Sequence, residues 1–378
     1  MQALAPPTGD RNPNSHTTAE VLAALNGADG VRKFSFRYEL LTSNNVYVQD
    51  LSNMLTAKVE ENWLADVKRT ATFTLQESGE IDFLSDRIKP YVRTWLPPYG
   101  PADYVEHPQG VFLLSTPSRN SDSAGRVTRE VQAYDPLQVF LDDLVVTRYS
   151  VAVAAKYTDA VSTLLGSIPK TIEPSTKALT VVMEWEPGTS KLRIINDLLN
   201  AINYESLSFD ENGSAVVRAY RDPGTRTEEY TYGDGLAGLV VPDVDQEIDL
   251  FAVPNRWTLV VSDPDKPALV STYTNSDPGS PTSTVRRART ITDFRLEEDA
   301  VDQATLDAKV ARLAFEASQI FEAIPFSTGL MPIHSGNDVY RIRYAPLAVN
   351  SKFTEQSWSL ELKAGAQMQH RARRVVTV

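Results

Sequence analysis

The sequence predicts a β-rich α+β fold made of two small β-barrel domains and a small α/β domain. Short runs of alternating apolar and polar residues dominate 31–148 and return in 236–378. Between them, 149–235 mixes short helical and strand patterns, and a long helical pattern covers 301–324. Short strands that follow each other closely are typical of barrels and sandwiches, which is why both outer segments are interpreted as barrels.

Composition excludes several classes of protein. The 378 residues suit two or three domains, and 42% hydrophobic residues are enough to bury a core in each. Since cysteine is absent, disulfides, thiolate nucleophiles and cysteine-based metal sites are excluded. The net charge of -12 disfavours general binding to the nucleic-acid backbone. We find neither a signal peptide nor an apolar run of about 20 residues, so we predict no membrane insertion.

The first 30 residues are predicted to form a flexible arm with one short helix. Residues 1–16 contain three prolines and no apolar periodicity. Thr17 or Thr18 is a suitable N-cap, Glu20 lies in the first turn, and Gly27 ends the helix.

The first barrel, 31–148, begins with a clear period of two. Phe34, Phe36, Tyr38 and Leu40 alternate with polar residues, which predicts a half-buried strand. Further strands are predicted at 46–48, 71–75, 88–95, 110–115 and 126–134. Asp135-Pro136 then begins a helix over 137–144.

The middle segment, 149–235, is predicted to be a small α/β domain. Helices are expected at 158–165 and after an N-cap at Thr189 or Ser190, with an apolar strand over 179–185. The turn Asp210–Gly213 joins two β runs as a hairpin.

The last segment, 236–378, is predicted to be the second barrel with one long helix. We predict strands at 257–262, 268–274, 289–294, 339–344 and 358–362. The helix over 301–324 carries an apolar stripe through Ile320 and is ended by Pro325, and 275–284 reads as an exposed loop. The chain finishes in a basic tail containing Arg371, Arg373 and Arg374.

The histidines give no sequence indication of a metal site. His16, His107, His334 and His370 never share helical or strand spacing, so surface or loop positions are expected for them. His334-Ser335-Gly336 lacks the strand–turn–helix context of a nucleophilic serine. We therefore predict no metal, no cofactor and no catalytic residue.

Glu184 and Glu186 flank Trp185 and have a spacing that suits hydrolysis, although this spacing is common. Two residues apart on a strand, they would lie about 6–7 Å apart on one face, within the range used by glycosidases. The simpler interpretation is a strand end leading through Pro187-Gly188 into a capped helix.

Four further sequence patterns each have a structural interpretation beside a functional one. Asp210–Gly213 resembles the start of a calcium loop but lacks the later ligands. Arg286, Arg287 and Arg289 form a basic cluster that begins a strand and is either solvated or a contact for an acidic partner. The glycines at 233, 235 and 238 do not form a phosphate-binding loop. Trp95–Tyr99 is a bend between strands or, alternatively, an aromatic platform for a glycan.

Several stretches together resemble minor tail proteins of long-tailed phages of actinobacteria. The similarity rests on their order and spacing along the chain: DFLSDRIKPYVR (82–93), GVFLLSTP (110–117), REVQAYDPLQ (129–138), WEPGTSKL (185–192), YTN (273–275), QATLD (303–307), VYRIRY (339–344) and WSLELKAG (358–365).

The resemblance implies a tail-tip hub of the tail-associated type. Such a protein would be a structural, non-enzymatic virion component that forms a trimeric ring with two barrels in each subunit. Its partners would be a distal tail protein, the tail tube or tape measure protein, and receptor-binding or fibre proteins, with DNA only passing through. A ring lined by carboxylates would repel DNA, as the charge of -12 suggests.

Two other functions stay open from the sequence. A receptor- or glycan-binding tail protein would need an exposed aromatic platform, for which Trp95–Tyr99 is the candidate. A wall-degrading hydrolase would use Glu184 and Glu186. A glycan array tests the first alternative, and a zymogram tests the second.

Overall fold

The computed structural model describes most of the chain. The described residues are 1–2, 16–28, 31–77, 79, 81–100, 102–121, 125–233, 240, 247–248, 250–261, 268–297, 300–319 and 322–375. Most of the predicted arm lies outside them, but its helix is confirmed as α1 (Thr18–Asn26). Thr17 and Glu20 form a reciprocal capping box, and Gly27 ends the helix in a left-handed conformation.

The first third of the chain folds into nine strands of one large sheet. They alternate between buried apolar and more exposed polar residues, as in β4, where every second side chain is buried. Their bounds are β1 (Phe34–Leu41), β2 (Tyr47–Asp50), β3 (Met54–Asn62), β4 (Arg69–Gln76), β5 (Arg87–Trp95), β6 (Tyr104–Pro108), β7 (Phe112–Leu114), β8 (Ser118–Ser121) and β9 (Val127–Tyr134). A 3₁₀ turn, Pro97–Tyr99, separates β5 from β6.

A small α/β module follows, with its own core. Its helices are α2 (Leu137–Asp142), α3 (Tyr157–Leu165) and α4 (Lys191–Ala201). Its strands are β10 (Tyr149–Val151), β11 (Lys170–Ile172), β12 (Met183–Trp185), β13 (Ser208–Phe209) and β14 (Ala215–Val217). Ser190 caps α4, and Leu192, Ile195 and Leu199 on its apolar face are buried. The predicted hairpin is confirmed as the antiparallel pair β13–β14, whereas the strand predicted over 179–185 is formed only as β12.

The strands of the last third divide between two places. The first set is β17 (Arg256–Val261), β18 (Leu269–Thr274) and β19 (Thr292–Glu297), which form a separate three-stranded sheet. The second set is β16 (Glu247–Ile248), β20 (Glu322–Gly329), β21 (Val339–Tyr344), β22 (Val349–Glu361) and β23 (Gln367–Arg374), which join the large sheet together with β15 (Tyr230–Gly233). A second 3₁₀ turn, Ala345–Leu347, links β21 to β22.

The structure confirms the predicted β-rich α+β class. The prediction of two separate barrels is wrong. The large sheet runs in the order β16-β20-β23-β22-β3-β4-β9-β7-β5-β1-β2, and this path does not close within the described residues. Strand β22 pairs with β3, so the two ends of the chain share one sheet. They also share one hydrophobic core, which joins residues such as Phe73 and Phe112 to Phe353 and Trp358. The domain boundaries at 31, 149 and 236 stay predictions.

The long helix is shorter than predicted. Helix α6 spans Gln303–Gln319 and packs Leu306, Val310 and Ala314 against Trp257 and Leu259 of the three-stranded sheet. Pro325 does not end it, because strand β20 has already begun at Glu322. Ile320, predicted to extend the apolar stripe, lies outside the described residues.

Two other segments differ from prediction. The loop 275–284 is partly buried rather than exposed, since Asn275 and Ser283 are covered and Asn275 donates to Ser280 Oγ at 2.8 Å. The basic tail is strand β23, in which Met368, His370 and Ala372 face the core while arginines take the other face.

Candidate functional site

A cluster of buried polar side chains lies inside the shared core. His334 is in the loop between β20 and β21, Glu355 is on β22 and His370 is on β23, and each is at most 4% exposed. Tyr232 on β15 and Tyr340 on β21 line the same space, with aromatic ring centroids 5.4 Å apart. We call these five residues the His–Glu cluster.

The histidines do not occupy the positions predicted for them. His107 and His370 lie on buried strands, and His334 lies in a loop but is only 1% exposed. His16, at the start of α1, contacts Tyr99, with ring centroids 5.4 Å apart. The expectation of surface or loop positions is therefore wrong for His107 and His370, and the loop that holds His334 is covered.

The two histidines of the cluster face carboxylates through the same ring nitrogen. His370 Nδ1 lies 2.8 Å from Glu355 Oε2, and His334 Nδ1 lies 3.8 Å from that oxygen. His334 Nδ1 is also 3.1 Å from Asp338 Oδ2.

Hydroxyl groups complete the cluster. Tyr340 donates to Glu355 Oε2 at 3.0 Å, Thr328 Oγ1 is 2.9 Å from His370 Nε2, and the Tyr232 hydroxyl bonds His334 Nε2. Every ring nitrogen of the cluster therefore has an oxygen partner.

Burial controls protonation in this cluster. Burial raises the pKa of Glu355 to about 8 and lowers the pKa of His370 to about 3, because both side chains lose the water that would stabilise their charged forms. Burial also acts to raise the pKa of Asp338, but the hydrogen bond with His334 and the ammonium group of Met1 hold that pKa below its usual value. The residues are suited to holding protons or a cation between fixed positions.

The cluster escaped sequence reasoning because its members come from separate strands and loops. One local signal was present: His370 stands between Met368 and Ala372 in the buried phase of an alternating strand. A histidine in that phase faces the core. The arginines around it were interpreted only as a basic tail.

Glu184 and Glu186 are both paired with one arginine in this structure. Both are exposed, and both accept from Arg148, at 3.3 Å and 2.6 Å respectively. They line an open groove of about 1020 Å³ beside Trp185. Neither sits in an apolar pocket of the kind that keeps a general acid protonated at neutral pH.

The turn Asp210–Gly213 joins the α/β module to the large sheet. Asp210 Oδ1 accepts from the backbone N–H groups of Asn212 and Ser214, so this oxygen stabilises the turn itself. Lys89 donates to Asn212 Oδ1 at 2.8 Å, and Glu211 lies 3.4 Å from Arg69. Gly213 has φ +80° and would place a Cβ 2.9 Å from Val111. These contacts favour the hairpin interpretation over a calcium loop.

The basic cluster and the glycines at 233, 235 and 238 are the remaining sequence candidates. Arg286 and Arg287 belong to a short helix, α5 (Thr284–Arg287), rather than to a strand, and Arg287 donates to the carbonyl of Val253 at 2.9 Å. Gly233 ends β15, and glycines 235 and 238 lie outside the described residues.

The Trp95–Tyr99 segment is a bend between β5 and β6, as predicted. Leu96 is fully buried, and Trp95 donates to Ser35 Oγ at 2.9 Å, so the segment is not a flat aromatic platform.

An uncovered apolar face lies on the three-stranded sheet, on the side opposite α6. Val270, Val260 and Leu296 stand in one row across β18, β17 and β19. Phe294 is in the next row; it is 60% exposed and Leu296 is 71% exposed. We call these four residues the outer apolar face, and contiguous exposed apolar surface of this kind is typical of protein contacts.

None of the helices in the described part of the chain is long and apolar enough to cross a membrane. No protein-family model matches the chain, and no curated protein matches it.

Solved structures do resemble it. A tail protein from Neisseria meningitidis MC58 has a TM-score of 0.65 at 11% identity, covering 90% of this chain and 96% of that chain. The 43 kDa tail protein of prophage MuSo2 from Shewanella oneidensis has a TM-score of 0.60 at 9% identity, covering 89% and 98%. The prophage tail protein gp18 from Listeria monocytogenes EGD-e has a TM-score of 0.55 at 11% identity, covering 90% and 95%.

The chain therefore has the fold of phage tail proteins over nearly its whole length. At these identities the similarity defines the fold alone.

Proposed function

We propose that the chain is a structural hub or adaptor at the distal tip of a phage tail. In this role three copies form a ring that joins the tail tube or distal tail protein to the host-recognition apparatus and lets DNA pass on ejection. The observation that carries the proposal is the length of the structural similarity, 90% of this chain and 96% of the Neisseria tail protein. A match of that extent concerns the plan of the whole chain rather than one widely used domain.

The exposed apolar surface supports assembly. The outer apolar face has α6 on its other side, so within the described residues it contributes nothing to the core of its own sheet. Strand β2 ends the described path of the large sheet and exposes Tyr47 and Val48, each 49% exposed. Sheet edges and apolar patches left open in one chain are favourable contacts for another.

The contacts made by the sequence candidates agree with a non-enzymatic role. Glu184 and Glu186 are paired with Arg148 in solvent, and Asp210 holds a turn. We propose that the chain is located at the tail tip of an actinobacterial phage, as implied by the family that its sequence resembles.

The oligomeric state in solution tests the proposal. Light scattering after size exclusion should give three times the chain mass of 41.8 kDa. Replacing Phe294 and Leu296 together by Glu should reduce this mass to that of one chain, because a charge in a desolvated contact is strongly unfavourable. Leu84→Glu is the matched control, since Leu84 is 86% exposed on a turn outside this face. A wild-type chain that stays monomeric at high concentration, with or without a distal tail protein, contradicts the ring.

A further inference from the structure

We propose that His334, Glu355 and His370, with Asp338 as fourth ligand, bind a divalent transition-metal ion of the Zn²⁺ type. One ligand atom from each of the first three residues can be chosen so that all lie within 4.8 Å of one another, and all three residues are buried. The sequence prediction of no metal site rested on spacing along the chain, and the fold removes that objection.

The nitrogen and oxygen atoms of these side chains point towards one another, which suits a cation placed between them. Both histidines present Nδ1 to a carboxylate oxygen, His370 to Glu355 at 2.8 Å and His334 to Asp338 at 3.1 Å. Deprotonated imidazole nitrogens and carboxylates are all acceptors, so something positive must stand between them. Either protons or one metal ion can do so.

The outer hydrogen bonds suit the metal-bound form. A histidine that coordinates through one nitrogen usually donates its other N–H to an oxygen, which fixes the tautomer and the ring orientation. Here His370 Nε2 lies 2.9 Å from Thr328 Oγ1, and His334 Nε2 bonds the Tyr232 hydroxyl. A hydroxyl can accept as well as donate, so both partners are compatible with the Nε2–H tautomer that leaves Nδ1 free for the ion.

Ligand type and distance also suit the ion. Glu355 and Asp338 supply two carboxylates, of which Asp338 also pairs with the ammonium group of Met1, and two neutral imidazoles complete a four-coordinate set of nitrogen and oxygen ligands, which Zn²⁺ accepts readily. Ligands about 2.0–2.1 Å from a tetrahedral ion lie roughly 3.3 Å from each other. Three of the separations, 2.8, 3.1 and 3.8 Å, lie on either side of that value, and the ligand atoms of His334, Glu355 and His370 would have to draw together from within 4.8 Å of one another.

Without the ion, one buried carboxylate oxygen has no hydrogen-bond partner among the described residues. This atom is Glu355 Oε1, which is inaccessible to solvent. An unpaired buried acceptor is unfavourable unless something unrecorded satisfies it. A metal held by this carboxylate through either oxygen would remove that deficiency.

The site would be structural rather than catalytic. Four protein ligands leave no open position for water or substrate. The ligands come from the loop before β21, from β22 and from β23, so one ion would tie three segments of the shared core together.

Metal content and affinity test the inference. The full chain is unfolded in chelator, refolded with or without Zn²⁺, dialysed and analysed for bound metal; refolding allows the ion to enter before the core closes. We expect one zinc per chain, a higher Tm for the zinc-loaded chain, and visible absorption bands of four-coordinate Co²⁺ when cobalt replaces zinc.

Two kinds of variant separate binding from folding. Glu355→Gln keeps the shape of the protonated side chain, so the metal-free chain should keep its fold while zinc affinity falls at least about 100-fold. Tyr232→Phe removes only an outer partner and should lower affinity about 10–100-fold. Tyr230→Phe is the matched control on the same strand, since that hydroxyl bonds Asn26 outside the cluster, and its affinity should match the wild type.

Two outcomes would overturn the inference. One is a wild-type chain that refolds with zinc yet retains none after dialysis. The other is zinc bound with equal affinity by the wild type and Glu355→Gln, because that ion lies elsewhere. Circular dichroism in chelator checks that each variant has folded before its affinity is compared.

Discussion

Replacing Gly336 by Ala should destabilise the chain through one overcrowded contact. A Cβ at this position would lie 2.2 Å from Cε3 and Cζ3 of Trp63 and 2.3 Å from Glu61 Oε1. The indole would have to move by about 1.3–1.8 Å to reach ordinary van der Waals distance. Overpacking of this kind costs about 1–3 kcal/mol, whereas the reduced entropy of the unfolded chain returns about 0.4–1 kcal/mol. We expect a net loss of about 1–2 kcal/mol.

Displacement of Glu61 adds to this loss. Its Oε2 accepts from Arg69 at 2.9 and 2.6 Å, and both residues are buried, so their charges depend on each other for stabilisation. The variant should therefore lie towards the upper end of the expected range.

Urea unfolding followed by circular dichroism measures the effect as a shift in midpoint. Gly233→Ala is the matched control, because a Cβ there meets nothing within 4 Å and the backbone is outside the left-handed region. Trp63→Leu in the Gly336→Ala background should recover part of the loss, giving a favourable coupling energy in a double-mutant cycle. The reasoning is refuted if Gly336→Ala unfolds at the wild-type midpoint, or if the two single changes are simply additive.

Two further predictions concern carboxylates. Burial raises the pKa of Asp135 from its ordinary 3.8 to about 7, so the stability that its proton contributes is lost as pH rises through 7. This group alone should lower the free energy of unfolding by about 2–3 kcal/mol between pH 5 and 8, and the raised pKa of Glu355 adds to the fall. In urea titrations Asp135→Asn should flatten this profile while the exposed Asp66→Asn leaves it unchanged, and an equal slope in both variants would contradict the assignment. Replacing Glu184 and Glu186 together by Gln should change the free energy of unfolding by less than about 1 kcal/mol, since exposed pairs with Arg148 contribute little. Neither this variant nor the wild type should clear a cell-wall zymogram; clearing by the wild type that the variant loses would establish a hydrolase.

The periodicity of apolar residues was enough to locate the helices and strands that bury a single face. Strand β1 (Phe34–Leu41) and helix α4 (Lys191–Ala201) lie where their periodicity placed them. Strand β20 was missed because Pro325 was interpreted as the end of a helix, although proline can occupy a strand position that needs no N–H donor. Periodicity shows which face of a segment is buried, but it does not show which other segment packs against that face.

The periodicity of the sequence could not show that the two ends of the chain share one sheet. The pairing of β22 with β3 sets Trp358 opposite Glu61, residues far apart in sequence. Each end alone looks like a small β domain, which is why two barrels were predicted. The same limit hid the His–Glu cluster, since its members lie on strands and a loop that are separated in sequence.

A local irregularity shows how the cluster and the core depend on each other. Glu355 and Trp358 are three residues apart on β22, so a regular strand would send them to opposite faces. Both are buried, and the pairing with β23 shifts register between Glu355 and Ser357. The bulge turns the carboxylate towards His370 while Trp358 still packs in the core.

A slip of β23 by one residue would exchange its faces. His370 would leave the cluster and an arginine would enter it, which is strongly unfavourable in a buried position. The cluster therefore specifies the register of the last two strands, whether protons or a metal ion occupy it. In the proposed adaptor role, where neighbours must meet fixed surfaces, such specification is a reason to keep a polar group in a core that apolar side chains alone could fill.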